Sequence, residues 1–289
     1  MSVTMRVVGD DSWPVPQTSS RPRPPLFRAL GPDEPPAEVE IDGETFRRIE
    51  VLKHDSWAAS GIYASPTRRT LCKFNRRQRV AVVPMGWLGR LLAAREQSFH
   101  DRLHGIPGIP ASLGPVRLDG RVLPNAIARE FIDGHALEER EWVDDAFFPR
   151  LRRLLAEVHR RDVAHVDLHK RENILVGDDG RPFLIDFQIS FALPRFPLVG
   201  PLLRPLLTVL QRSDDYHLLK HKIKHRPDQF SVGMRDLEQL RPWWIRAHRS
   251  IAVPFRTCRR QLLVWLGIRS KSGHAHSEAF PEIAHRRAA

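Results

Sequence analysis

The stretch that decides the fold is His165-Val-Asp167-Leu-His169-Lys170-Arg-Glu172-Asn173-Ile-Leu-Val176, followed shortly by Leu184-Ile-Asp186-Phe-Gln188. The loop is dense in side chains that carry charge or hydrogen bonds. It runs into apolar residues at 174–176, and after Asp178-Asp-Gly180 a second apolar run at 183–185 leads into Asp186, which reads as two short strands. A polar side chain set directly beside a rigid strand is held in one direction. Asn173 and Asp186 both occupy such places.

Working outward, Phe147, Leu151, Leu154, Leu155 and Val158 recur at three- and four-residue spacing, which predicts a helix before the loop. A second helix is expected at about 86–104, with Leu88, Leu92, Phe99 and Leu103 on one face, ended by Gly105-Ile-Pro-Gly-Ile-Pro. Strands are expected near 116–118 and 126–131. Upstream, the runs 46–54, 61–64 and 70–74 are rich in β-branched and aromatic residues and are separated by turn chemistry, an antiparallel meander. A long helical remainder follows Gln188, and no internal repeat is visible. Strands first and helices after is an α+β arrangement. Residues 1–40 hold eight of the 24 prolines and read as a flexible Pro-rich arm, unable to bury enough apolar surface to offset its ordering entropy. The expected units are then 41–133, 134–270 and a flexible tail at 271–289.

The loop and the strand-borne triplet resemble the catalytic loop and metal-binding triplet of the protein-kinase-like fold, His-x-Asp … Asn-Ile-Leu … Asp-Phe-Gly. The resemblance covers roughly residues 46–220 and implies two lobes, a small antiparallel β lobe with one helix and a larger helical lobe. It also implies phosphoryl transfer from ATP, which needs a carboxylate to orient the acceptor hydroxyl and ligands for Mg²⁺ (Mn²⁺ is an alternative) bridging the phosphates. Asp167 suits the first task, with Lys170 beside it; Asn173 and Asp186 suit the second. Chance accounts poorly for this order and spacing with these apolar flanks.

The same resemblance assigns the nucleotide side. Lys73, in Thr70-Leu-Cys-Lys73-Phe, sits on the third strand, where the family's phosphate-binding lysine belongs. Glu96 lies four residues after Leu92 and eight after Leu88, on the apolar face of its helix. A buried carboxylate is costly unless a cation meets it, and Lys73 is the candidate; the alternative is a glutamate at the stripe's edge beside Arg95. Ala128-Arg-Glu130-Phe-Ile132-Asp-Gly134 resembles the interlobe hinge, where backbone groups of Glu130 and Ile132 would bond an adenine edge. Asp55-Ser56-Trp-Ala-Ala-Ser60-Gly61 fills the nucleotide-loop slot with a single glycine, and its backbone would cradle phosphate with help from Ser56 and Ser60.

Departures narrow the resemblance. Asn173 lies six residues after Asp167, one more than the usual loop, which makes Glu172 a competing metal ligand. Lys170 is three residues after Asp167, with His169 in the lysine's usual place. Gln188 replaces the glycine of Asp-Phe-Gly, and no Ala-Pro-Glu triplet follows. These features look like the compact bacterial branch, the lipopolysaccharide core kinases of the Kdo and heptose type and their RIO-like relatives. The implied acceptor is a sugar hydroxyl on a lipid-linked or lipopolysaccharide core. A protein Ser/Thr acceptor of RIO-like type is the runner-up, and a nucleotide-binding pseudokinase scaffold is the reading from another class.

The net charge of +12 is almost wholly in the last third: residues 195–289 carry 18 Lys and Arg against 7 Asp and Glu. Such a balance points to an anionic partner, whether phosphorylated substrate, acidic lipid or nucleic acid, or else to a solvated face. The basic residues fall on expected helices instead of interleaving with aromatics on a β surface, which argues against nucleic acid. His217, His221 and His225, interleaved with Lys220, Lys222 and Lys224, read as a solvated basic helix face, with anion or metal binding as alternatives. His159, His165 and His169 cluster around the loop and could suggest zinc, but His165 reads first as a loop histidine packing its backbone. Trp243, Trp244 and Trp265 read as helix core; 254–269 is a basic amphipathic stretch that would also suit an anionic membrane surface. The best candidate for a membrane span, Phe196 to Leu210, is broken by Arg204 and three prolines. With two cysteines and no basic-then-apolar leader, the expected location is the cytoplasm, peripheral to the inner membrane at most.

Overall fold

Asp42 and Gly43 both have positive φ (53° and 76°), so the chain turns back in two residues and pairs β1 (Glu38–Ile41) with β2 (Glu44–His54). Two-residue hairpins favour this Asp-Gly chemistry because the turn matches the strands' right-handed twist. Within β1, Val39 and Ile41 point inward and Glu38 and Glu40 lie on the wetter face, the period-two pattern of a half-buried strand. In the computed structural model, which describes residues 24–229 except 81 and 140, this hairpin belongs to a seven-stranded antiparallel sheet.

The other strands are β3 (Ala58–Ala64), β4 (Arg69–Asn75), β5 (Arg117–Leu118), β6 (Arg121–Val122) and β7 (Ala126–Glu130), in the order β6-β5-β1-β2-β3-β4-β7. The β5–β6 hairpin repeats the Asp-Gly turn at Asp119 (φ 50°) and Gly120 (φ 73°). Phe46, Tyr63, Cys72, Phe74 and Ala128 form the sheet's apolar core, with Leu30 and Val39. The expectation of a flexible arm through residue 40 is therefore corrected. Ala29 is fully buried, its N–H bonds Asp55 O at 2.7 Å, and 38–41 is a sheet strand. Alternation in Val39-Glu40-Ile41 outweighs the nearby prolines.

Helix α1 (Gly86–Arg102) packs on β4 and β7. Its buried stripe is Gly89, Ala93, Glu96, Phe99 and His100, while Leu88 and Leu92 are only half-buried, so the inward face is turned from the leucine stripe expected of the sequence. Gly89 explains the turn. A Cβ there would lie 2.1 Å from Arg76 O, so the helix meets the β4 extension backbone to backbone along its small-residue side. The last turn, with Phe99 and Leu103, enters a second core.

That core is built by α2 (Phe147–Arg160), whose Phe147, Leu151, Leu154, Leu155 and Val158 are buried as their spacing predicted, with Phe148 buried beside them. Burying each contributes about 1.5–3 kcal/mol. Around it lie β8 (Gly134–Ala136), β10 (Ile174–Gly177) and β11 (Pro182–Leu184) as one small sheet, β9 (Val163–Ala164) paired with β12 (Phe191–Ala192), and the long α3 (Val199–His225). The architecture is α+β. Among the described residues no helix is long and apolar enough to cross a membrane. The residues 1–23, Trp243, Trp244, Trp265, the stretch 254–269, the boundary at 270 and the tail at 271–289 lie outside the described residues.

One helix-face expectation reverses. His221 and His225 are buried, not solvated: His221 Nε2 bonds Leu168 O at 3.0 Å, and His225 bonds His221 O and Glu138 O. A backbone carbonyl accepts from each ring, which offsets part of the cost of its core position.

Candidate functional site

Three segments far apart in sequence build the charged centre. Lys73 lies mid-strand in β4, opposite Ser60 on one side and Ile127 on the other. Its Nζ sits 2.9 Å from Glu96 Oε2 in α1 and 3.1 Å from Asp186 Oδ1 just after β11. Burial works against the Lys73 charge, but Asp186 and Glu96 together hold its ammonium above the usual lysine range. Burial alone would raise the Asp186 carboxyl; Lys73, Lys170 and His165 outweigh it and hold the carboxyl below the usual carboxylate range. Glu96, 3% exposed, is pushed up by burial and only partly restored by Lys73. The expected buried glutamate and its cation are thus together.

The loop supplies the rest. Asp167 is buried, and its two carboxylate oxygens are met from within the loop, by His169 Nδ1 at 3.2 Å and Lys170 Nζ at 2.7 Å. The extra loop residue therefore still returns Lys170 to Asp167. Asn173 is buried and donates Nδ2 to Asp167 O at 3.1 Å, which leaves its Oδ1 as an acceptor. Its own carbonyl accepts from the Ile185 N–H at 3.1 Å, so Asn173 is fastened to the residue before Asp186. Glu172 instead pairs with Arg171 at 3.4 Å. Asn173 Oδ1, just before β10, and the second oxygen of Asp186, just after β11, are hard donors at neighbouring ends of two paired strands, a pair that fits Mg²⁺ or Mn²⁺ completed by phosphate and water.

Three features were not read from the sequence. Asp214, fully buried in α3, accepts from the N–H groups of His165 (2.7 Å) and Val166 (2.9 Å) and lies 3.3 Å from His159 Nε2. Val166 has φ of 69°, a left-handed conformation rare for a β-branched residue, so the loop carries backbone strain that these two bonds hold in place. The available signal was that Asp214 and Asp215 are the only acids between 187 and 227. Second, Phe187 is fully buried between the rings of His165 (4.9 Å) and His100 (6.2 Å), and His165 Nε2 bonds Ile185 O at 2.9 Å. Third, Gln188 donates to Asn75 Oδ1 at 2.9 Å, tying the triplet to the end of β4.

The segment expected as the nucleotide loop is bonded to itself. In the turn after β2, Asp55 Oδ1 already accepts the N–H groups of Trp57 (2.7 Å) and Ala58 (2.9 Å), so neither amide is open to a phosphate. Ser56 Oγ donates to Phe27 O, and Ser60 is buried within β3. Gly61 answers to sheet packing, since a Cβ there would lie 2.9 Å from Glu50 O. At the hinge, the Glu130 N–H donates to Ala111 O at 2.8 Å and its carbonyl accepts from Arg129 Nη1 at 3.1 Å. Both Glu130 backbone groups are therefore engaged, and Ile132 is buried just after β7.

No protein-family model and no curated protein matches the sequence. What fold and site define together is an α+β protein with one buried ionic centre. There a sheet lysine, a helix glutamate and a strand-end aspartate converge beside a loop carrying a second carboxylate and an amide.

Proposed function

We propose that the chain is a two-lobed protein-kinase-like phosphotransferase that moves the γ-phosphoryl of ATP to an alcohol. The observation that carries this reading is the placement of Lys73 Nζ between Glu96 and Asp186, 113 residues apart from the latter. A lysine so held presents a fixed cation to the α- and β-phosphates. Asn173 and Asp186 would hold the divalent cation, which when bound neutralises phosphate charge. Asp167 orients the acceptor hydroxyl and takes its proton, and Lys170, 2.7 Å away, pairs with that carboxylate and would meet the transferred phosphoryl group. The acceptor that the sequence resemblance favours is a sugar hydroxyl of a lipid-linked, lipopolysaccharide-type molecule, with a protein serine or threonine as the alternative.

The occupied amides of the Asp55 turn favour one second reading, a nucleotide-binding scaffold without turnover. ATP consumption by the full chain, with Mg²⁺ or Mn²⁺, with and without extracted lipopolysaccharide or a protein extract, separates them. Acceptor-stimulated turnover supports the phosphotransferase; nucleotide binding with no turnover under any of these conditions supports the scaffold.

A further inference from the structure

The first turns of α3 and the residues leading into them are apolar on both sides. Inward, Leu207 is buried against Ala164 and Leu193, with Leu203 and Leu210 beside it. Outward, Phe196, Leu198, Leu202 and Leu206 are 72%, 89%, 78% and 45% exposed. Leu198, Leu202 and Leu206 recur every four residues and so form one stripe. A helix that is apolar all round is normally covered on all sides, and exposed apolar surface of this kind marks a contact site.

The surrounding charge selects what covers it. From 187 to 213 there is no Asp or Glu, while Arg195, Arg204 and Arg212 are present and exposed. Arg204 makes a partial pair with Asp162 at 3.2 Å, and Arg195 adds its charge to that of Arg102. The chain after residue 229 carries 11 Lys and Arg against 4 Asp and Glu, so its own charge opposes docking on this rim. A second copy would set arginines against arginines. An apolar stripe in a frame where arginines outnumber the one acid, Asp162, matches a bilayer with acidic headgroups, where leucines enter the acyl boundary and arginines meet the phosphates.

We propose that 195–206 is an interfacial docking surface for an anionic membrane. It lies next to the catalytic loop: Leu193 N–H bonds Asp162 O at 2.9 Å, and Phe191 pairs with Ala164, the residue before His165. Docking here would bring the bilayer surface beside Asp167. Vesicle binding needs no turnover, so this inference stands or falls apart from the phosphotransfer reading.

The test is sedimentation of the full-length protein with vesicles of phosphatidylcholine plus phosphatidylglycerol, and with pure phosphatidylcholine. The wild type is expected to partition to the acidic vesicles. The pair Leu198→Ser and Leu202→Ser should weaken this about tenfold or more, since each leucine loses its apolar transfer. Leu198→Phe with Leu202→Phe should retain it, and Arg195→Gln should weaken it by about fivefold on acidic vesicles only. Unfolding midpoints check that each variant folds, and Phe196→Ser, which lies before the helix, replaces the serine pair if that pair does not. Equal partitioning of wild type and serine variants would overturn the proposal. So would failure of the wild type to bind acidic vesicles, or a wild-type dimer that the serine pair converts to a monomer.

Discussion

Asp214 accepts the backbone N–H of His165 at 2.7 Å from 49 residues further along the chain. One helix carboxylate thereby fixes the start of the loop that carries Asp167, and its second bond, to Val166, sits at the residue with φ of 69°. Such strain costs about 1–3 kcal/mol and persists only where surrounding structure over-determines it.

Asp214→Ala is expected to lower unfolding free energy by about 3 kcal/mol or more, because it orphans one buried and one part-buried N–H group and releases the strained loop. Asp214→Asn keeps the shape but turns one acceptor into a donor, and it should fall between wild type and Ala. Urea unfolding measures both. A wild-type midpoint for Asp214→Ala would show that the loop holds itself.

Asp167→Asn should leave ATP binding nearly intact while lowering turnover by at least ~10²-fold, the scale of losing a positioned base. Calorimetric nucleotide binding and a turnover assay on the same preparation check it. Turnover within a few-fold of wild type would remove Asp167 from the acceptor side.

Asn173→Ala should weaken metal-dependent nucleotide binding more than Glu172→Ala. The Asn173 amide is buried against Asp167 O and its carbonyl is bonded to Ile185, whereas the Glu172 carboxylate faces Arg171. Nucleotide affinity with and without Mg²⁺ ranks the two, and the reverse order would move the ligand to Glu172.

The buried trio at Lys73 gives a non-additive prediction. Removing one member of a buried ion pair costs about 3–5 kcal/mol, because the remaining charge is left unmatched. Lys73→Met and Glu96→Gln should each be strongly destabilising, and the double variant less so than their sum by about 1–3 kcal/mol. Chemical unfolding of the four proteins closes the cycle. Additive effects would mean that the two groups do not share a partner.

How much of this was legible depended on whether the signal was local. The polar loop, the triplet, Lys73 and Glu96 could be found because each sits beside a periodic apolar run that places it. The strand 38–41 was missed although Val39-Glu40-Ile41-Asp42-Gly43 carries a hairpin signature; the eight prolines of residues 1–40 drew attention away from it. Asp214, His221 and His225 were missed or misread for a different reason. Apart from the local bond of His225 to His221 O, their backbone partners are N–H and carbonyl groups 48 to 87 positions away, and no sequence pattern records such a partner. The Asp55 turn misled in the opposite direction. An Asx turn and a phosphate-binding turn draw on the same small polar residues, and only the coordinates show that the amides are already taken.

Acid should loosen the protein before its carboxylates titrate. Burial holds His221 down to about 4, with His225, Lys220 and Lys224 adding to the effect and its bond to Leu168 O opposing it. His100 is likewise held down to about 4, by burial first and then by Arg129. In the unfolded chain both rings titrate near about 6.5, so below that pH the unfolded state binds protons that the folded state refuses. Their contribution is complete above about pH 6.5 and is lost as pH falls towards about 4, at a limit on the order of 3 kcal/mol for each ring. Asp186, depressed from the ordinary carboxylate range, adds its own loss only at lower pH still. The unfolding midpoint should therefore drop between about pH 7 and about pH 5, well above the carboxylate range. His221→Gln can keep a donor to Leu168 O without a titrating ring, and it should remove roughly half of that drop. Equal pH slopes for wild type and His221→Gln would show that this ring is not held neutral, and the buried contact between α3 and the Asp167 loop would lose its acid sensitivity.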